Sequence, residues 1–235
     1  MNSHDFHKLV HMILESPAHP PESLFAQGFD DWHARARMAH FLAMPEYEKK
    51  DLAIELFRSI VDIEIDEENS EDVEEKVFAL QKLSACLREN ETTLEAALDY
   101  INLAIELAES TDYLYKYILR GELWADRWLT LHLQKKTNIA EAEITEKIEI
   151  FEPLPIPHNS YLYYGYRFKA QIAAERGTTL IAKDFMHMAL SFMDIPKSYQ
   201  DELQAAFSAT HDNAAWILND IDHATPAPDK LHWDI

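Results

Sequence analysis

The chain lacks the residues that punctuate β-sheets. No proline occurs between Pro45 and Pro153, and only four of the 235 residues are glycine. Sheet proteins need frequent glycine and proline at their turns, whereas helix interiors exclude both. The stretch from Pro45 to Pro153 therefore predicts helices joined by short polar turns. Because 47% of the residues are hydrophobic, the chain can also bury a substantial core.

The charge of the chain disfavours two classes of partner, nucleic acid and anionic membranes. Its 42 acidic and 21 basic side chains give a net charge of −21. Nucleic acid needs clustered lysine and arginine, and an anionic membrane surface would repel such a chain. No apolar run approaches the roughly 20 residues of a spanning helix, and the Met1-Asn-Ser-His-Asp5 start lacks the basic residues of a secretory signal. We therefore expect neither nucleic acid nor a membrane as a partner. The single cysteine, Cys86, favours a reducing, cytoplasmic location.

Apolar residues at three- and four-residue spacing predict four antiparallel helix pairs. The prediction divides the first pair at Met44-Pro45 and the fourth at Gly177, which readily takes a left-handed conformation. A capping box, Thr92-Thr-Leu-Glu95, would begin the second helix of the second pair. The predicted pairs are Asp30–Ala43 with Glu46–Ile63, Glu71–Glu89 with Thr92–Ser110, Asp112–Lys135 with Asn138–Phe151, and Asn159–Arg176 with Thr178–Met193.

The second helices of these pairs share a pattern of small and large residues. A small residue lets a neighbouring helix approach closely, and a large residue four positions later fills the next turn. The pattern occurs at Ala53, Phe57 and Ile60, at Ala97, Ile101 and Ala104, and at Ala182, Met186 and Ala189. With the third pair aligned on Ala142, the separations are 44, 45 and 40 residues. Such a period is typical of a helical repeat array.

The stretch from Tyr166 to Pro196 resembles the tetratricopeptide repeat family. It has the family's order of large residue, small residue, turn glycine, alanine, large residue, alanine and proline. These residues are Tyr166, Ala170, Gly177, Ala182, Met186, Ala189 and Pro196. The resemblance implies an all-α fold of antiparallel helix pairs stacked as a right-handed superhelix. The repeats would cover residues 29–196, after an N-terminal helix and proline-rich linker at 1–28 and before C-terminal capping helices and a tail at 197–235.

The resemblance also implies a concave groove, lined by the first helices, that binds a peptide or a partner helix. Seven of the eight arginines lie on predicted first helices. Arginine forms bidentate bonds to carboxylates, so a partner with an acidic segment would fit such a groove. The predicted partner-binding residues are Arg120, Trp124, Arg127, Tyr164, Arg167 and Gln171. The alternative is that these arginines pair with the surplus acids of the protein surface.

The predicted function is that of a protein- or peptide-binding adaptor or regulator, with no catalytic residues, metal or cofactor. One alternative is a helical metal-dependent hydrolase that uses His211 and Asp212. Another is an assembly protein in which the aromatic run Tyr161–Phe168 forms a homodimer interface. A metal site on the His4, His7 and His11 face lacks a completing carboxylate or cysteine, so we interpret that face as an exposed polar surface.

An acidic stretch, Asp62–Glu75, contains nine carboxylates. It lacks the glycine that the sharp turn of a calcium-binding loop requires. We therefore interpret the stretch as a solvated loop between repeats.

Overall fold

The computed structural model describes residues 31–110, 120–154 and 158–192. Regular structure in these ranges is entirely helical, with no strand. The predicted all-α class is therefore confirmed for the part of the chain that the structure describes. The chain divides into two compact units, Met1–Thr111 and Asp112–Ile235, so that the boundary falls between the second and third predicted pairs.

Each unit contributes four described helices. In the first unit these are α1 (Trp32–Leu42), α2 (Lys50–Val61), α3 (Ser70–Leu87) and α4 (Leu94–Ser110). In the second unit they are α5 (Arg120–Leu133), α6 (Thr137–Phe151), α7 (Asn159–Glu175) and α8 (Thr179–Ser191). Short 3-10 turns at Pro45–Tyr47 and Glu91–Thr93 precede α2 and α4. The helices predicted near both termini lie outside the described residues.

Both units pack their helices in the same order. In the first unit α1 packs against α2 and α3, and α3 packs against α4. The corresponding contacts in the second unit join α5 to α6 and α7, and α7 to α8. The described part of each unit therefore comprises two consecutive helix pairs, and the first helices of the two pairs are in contact.

The first helices of each unit run parallel to one another. In the first unit, the Nε2 atom of His33 lies 2.9 Å from the Oδ1 atom of Asp72, and seven residues further on the His40 ring lies 4.9 Å from the Phe78 ring. In the second unit, too, the contacts move toward the C-terminal end of both helices together. There, the backbone N–H of Gly121 donates to the Oγ atom of Ser160 (3.2 Å), and the rings of Trp128 and Phe168 are 6.4 Å apart.

The second helices bury the repeated small and large residues. The small positions are Ala53, Ala97, Ala140 and Ala182, and the large positions four residues later are Phe57, Ile101, Ile144 and Met186. All eight side chains are at most 1% exposed. The buried alanines are separated by 44, 43 and 42 residues, so the spacing is more regular than the sequence alignment gave.

The sequence alignment of the third pair was wrong by two residues. Ala142, the residue chosen for that alignment, is exposed, and Ala140 is buried in its place. The cause lies in the preceding turn, where Lys135 has a left-handed backbone (φ 62°) and α6 begins at Thr137. The helix therefore directs Ala140 and Ile144 into the core.

Asparagine side chains cap helix α3 and the 3-10 turn that precedes α4. The Oδ1 atom of Asn69 accepts the backbone N–H of Glu71 (3.0 Å) before α3, and that of Asn90 accepts the N–H of Thr92 (3.0 Å) before α4. The predicted capping box at Thr92 is not formed, because the Thr92 hydroxyl donates to Asn90 Oδ1 instead (2.9 Å). Asn90, two residues earlier, provides the cap. The predicted left-handed turn at Gly177 is confirmed, with φ at 73°.

Two helical glycines allow close packing in the second unit. A Cβ atom at Gly121 would overlap the backbone between Ser160 and Tyr161, so this glycine lets α5 approach α7. A Cβ atom at Gly165 would meet only side-chain atoms, the nearest being the Cγ1 atom of Ile148 at 3.3 Å. Backbone cannot move aside as a flexible side chain can, so the two positions tolerate alanine differently.

We expect Gly121→Ala to lower the free energy of unfolding by about 2 kcal/mol, because overpacking against backbone separates α5 from α7. Gly165→Ala, its matched control, should change that free energy by less than about 1 kcal/mol, since the helix propensity of alanine offsets the movement of Ile148. Urea denaturation followed by circular dichroism measures both values. Equal stability of the Gly121→Ala variant and the wild type would contradict the close approach of the two helices.

Candidate binding surfaces

Two of the predicted groove residues, Trp124 and Arg127, face α6. The Nε and Nη2 atoms of Arg127 donate to the carboxylate of Glu143 at 3.0 and 2.7 Å. The Lys147 ammonium lies 3.9 Å from the centre of the Trp124 ring, within cation–π distance. Both side chains of α5 therefore stabilise the α5–α6 pair.

Tyr164 and Arg167 lie together on α7. The guanidinium carbon of Arg167 is 6.0 Å from the centre of the Tyr164 ring. Burial raises the pKa of the Tyr164 phenol above its usual range, and the nearby carboxylates of Glu122 and Asp126 add to the rise. The surface around Tyr164 thus carries both signs of charge, with acids from α5 and a base from α7.

The last two predicted residues occupy different places. Gln171 is 5% exposed, and its Nε2 atom donates to the Glu175 carboxylate (3.0 Å). Arg120, at the start of α5, lies near His158, which precedes α7. Burial lowers the pKa of His158, and the charge of Arg120 lowers it further. Of the six predicted residues, the structure therefore places Tyr164 and Arg167 near each other on α7, and places Trp124 and Arg127 against α6.

The aromatic run of α7 is largely core. Tyr161, Tyr163, Tyr166 and Phe168 are buried, and Tyr164 is half-buried. The Tyr166 hydroxyl donates to a carboxylate oxygen of Glu152 (2.7 Å). These rings pack α7 against its neighbours.

The first unit contains a cleft that was not predicted from the sequence. It has a volume of about 590 Å³ and lies between the end of α2, the loop that follows it, α3 and the end of α4. Apolar side chains and carboxylates both line it. The lining residues are Val61, Asp62, Ile63, Glu64, Ile65, Glu67, Lys76, Leu80, Leu103, Glu106, Leu107 and Ser110. The sequence does carry a signal, because isoleucine alternates with acidic residues from Asp62 to Asp66, as in a segment with one apolar side.

A buried lysine holds the loop beside this cleft. The Nζ atom of Lys76, on α3, donates to the backbone carbonyl oxygens of Ile60, Val61 and Ile63 at 2.5, 2.7 and 2.9 Å. The last carbonyls of a helix have no partner within the helix and carry partial negative charge. Burial lowers the pKa of Lys76, whereas the charge of Asp62 opposes this effect. Lys76 therefore caps α2 from a neighbouring helix.

The described residues offer no group of three or more His, Cys, Asp or Glu side chains that could hold a metal ion. The histidines of the metal alternatives, including His211 with Asp212, lie outside those ranges. The Cys86 thiol is half-buried, and burial raises its pKa, which disfavours the reactive thiolate. None of the described helices has both the length and the apolar composition needed to cross a membrane.

Comparisons with protein-family models, with curated proteins and with solved structures find no match for this chain.

We expect Lys76→Met to lower the free energy of unfolding by at least about 2 kcal/mol, because it leaves three carbonyl oxygens without their charged donor while keeping the apolar stem. Lys82→Met on the same helix is the matched control. The Lys82 ammonium lies 5.1 Å from the centre of the Phe78 ring, so its loss should cost less than about 1 kcal/mol. Chemical denaturation compares the variants, and equal effects would show that Lys76 does not cap α2.

Proposed function

We propose that this chain is a divergent tetratricopeptide-like repeat protein of the superhelical class, and that it binds a protein or peptide segment as an adaptor or regulator. One observation carries the proposal. Each unit contains two helix pairs whose first helices run parallel and in contact, and the four second helices bury alanine at intervals of 44, 43 and 42 residues. Such repetition of one supersecondary unit is typical of proteins that bind extended partners.

The face shared by α5 and α7 is the proposed binding surface. Two parallel helices in contact present adjacent rows of side chains to a partner, and these rows include Tyr164 and Arg167. Tyrosine and arginine are enriched among the residues that dominate binding energy. Because both helices are fixed by buried contacts, binding needs little ordering of the surface.

The charges near Tyr164 narrow the chemistry of the partner. The positive charge of Arg167 favours a carboxylate on the partner, because guanidinium and carboxylate groups attract each other and form charge-assisted hydrogen bonds. Glu122 and Asp126 lie close enough to affect the Tyr164 phenol, so they would repel a long acidic run. We therefore propose a segment that presents one carboxylate beside an aromatic or aliphatic side chain.

Selection of peptides from a displayed random library against the intact chain tests this function. We expect the enriched peptides to share a carboxylate next to an apolar residue. Arg167→Gln should weaken their binding at least about tenfold, as the loss of an anchoring arginine does. Fluorescence anisotropy measures the change.

Arg58→Gln provides the matched control, since Arg58 is exposed on the second helix α2 and the substitution changes the net charge equally. Its effect should stay within about twofold. The proposed surface would be rejected if both variants bound the selected peptides equally. Failure to enrich any peptide would reject the binding function itself.

A further inference from the structure

The cleft of the first unit has an apolar lining. Three side chains of the α2–α3 segment, Val61, Ile63 and Ile65, face it from one side. Leu103 and Leu107, one turn apart on α4, line it from another. Leu103 is 43% exposed, although burial of a leucine side chain usually stabilises a protein.

Carboxylates surround this apolar lining. Asp62, Glu64, Glu67 and Glu106 all line the cleft and are all exposed. The positive charge of Lys76 acts on Asp62, but the ammonium donates its hydrogen bonds to backbone carbonyls. Within the described ranges, Glu64, Glu67 and Glu106 form no ion pair. A cationic partner would bring opposite charges to these carboxylates.

The cleft is also preformed. Lys76 ties the end of α2 and the start of the following loop to α3 through three hydrogen bonds. The wall from Val61 to Ile63 is therefore held before a partner binds, which lowers the entropic cost of binding.

We propose that this cleft is a docking site for a cationic protein segment that carries lysine or arginine on both sides of an aliphatic stripe. The stripe would cover Leu103, Leu107 and the isoleucines, while the basic side chains would pair with Glu64, Glu67 and Glu106. Complementary charge would also speed the encounter and make it sensitive to salt. This site is distinct from the α5–α7 face, and it selects the opposite charge.

A labelled peptide of about 15 residues, with leucines at helical spacing and lysines elsewhere, is the direct probe. We expect it to bind the intact chain, and binding should weaken as salt is added. A peptide of lysine alone should bind at least about tenfold more weakly, because it cannot use the apolar lining. Equal binding of the two peptides would overturn the proposal, since the acidic protein would then attract any cation.

Two sets of substitutions with equal change of charge locate the site. The triple variant Glu64→Gln, Glu67→Gln and Glu106→Gln should weaken binding of the peptide that contains leucine and lysine (the leucine–lysine peptide) at least about tenfold. The control variant Glu91→Gln, Glu95→Gln and Asp99→Asn removes three exposed acids of the same unit that do not line the cleft. It should change affinity by no more than about twofold. Equal losses in both variants would overturn the assignment to this cleft.

Leu103→Asp tests the apolar part of the site. This substitution should also weaken binding of the leucine–lysine peptide about tenfold, while the circular dichroism spectrum of the protein stays unchanged. Sedimentation of each variant provides a further check. If the wild type is a dimer that the cleft substitutions dissociate, while peptide affinity stays constant, the cleft accommodates a second copy of the chain and the proposal is wrong.

Discussion

Close contact between helices, made possible by small side chains, is the constraint on which this structure depends. Gly121 lets α5 reach the backbone at the start of α7, and a buried alanine stands at the same place in each second helix. A large residue one turn later fills the space beside each alanine. Because these contacts recur at nearly constant intervals, each unit repeats the same pair, and the first helices come to lie parallel.

Buried polar contacts between helices hold in place the surfaces that a partner would contact. Lys76 has almost no exposure and joins α3 to the end of α2 through three carbonyl oxygens, so the acidic loop beside it has a defined course. Arg127 and Glu143 join α5 to α6 in the same manner. The surplus of acid in the chain then has two consequences. Some carboxylates neutralise arginines between helices, and others remain at the rim of the cleft without an ion pair to any described residue.

The helices and the turn at Gly177 could be predicted because periodicity and turn chemistry act over a few residues. The register of α6 could not be predicted, because it depends on the left-handed backbone of Lys135. Lysine rarely adopts that conformation, so nothing in the sequence indicates the turn. The contacts of Trp124 could not be predicted for a different reason. Its ring lies against the Lys147 ammonium of another helix, and sequence alone does not reveal that contact. The cleft was not predicted because the nine carboxylates of this stretch indicated a solvated loop. In the sequence, nothing distinguishes the buried Lys76, which holds the loop, from an exposed lysine on a helix.

The parallel arrangement of the first helices is the central claim, and nuclear Overhauser effects in the intact chain test it most directly. The account predicts contacts between the ring protons of Trp128 and Phe168, together with contacts between the Gly121 amide and Ser160. Corresponding contacts should join the rings of His40 and Phe78 in the first unit. Contacts from Trp128 to the beginning of α7, and from Gly121 to its end, would mean that the two helices are antiparallel and would contradict the account.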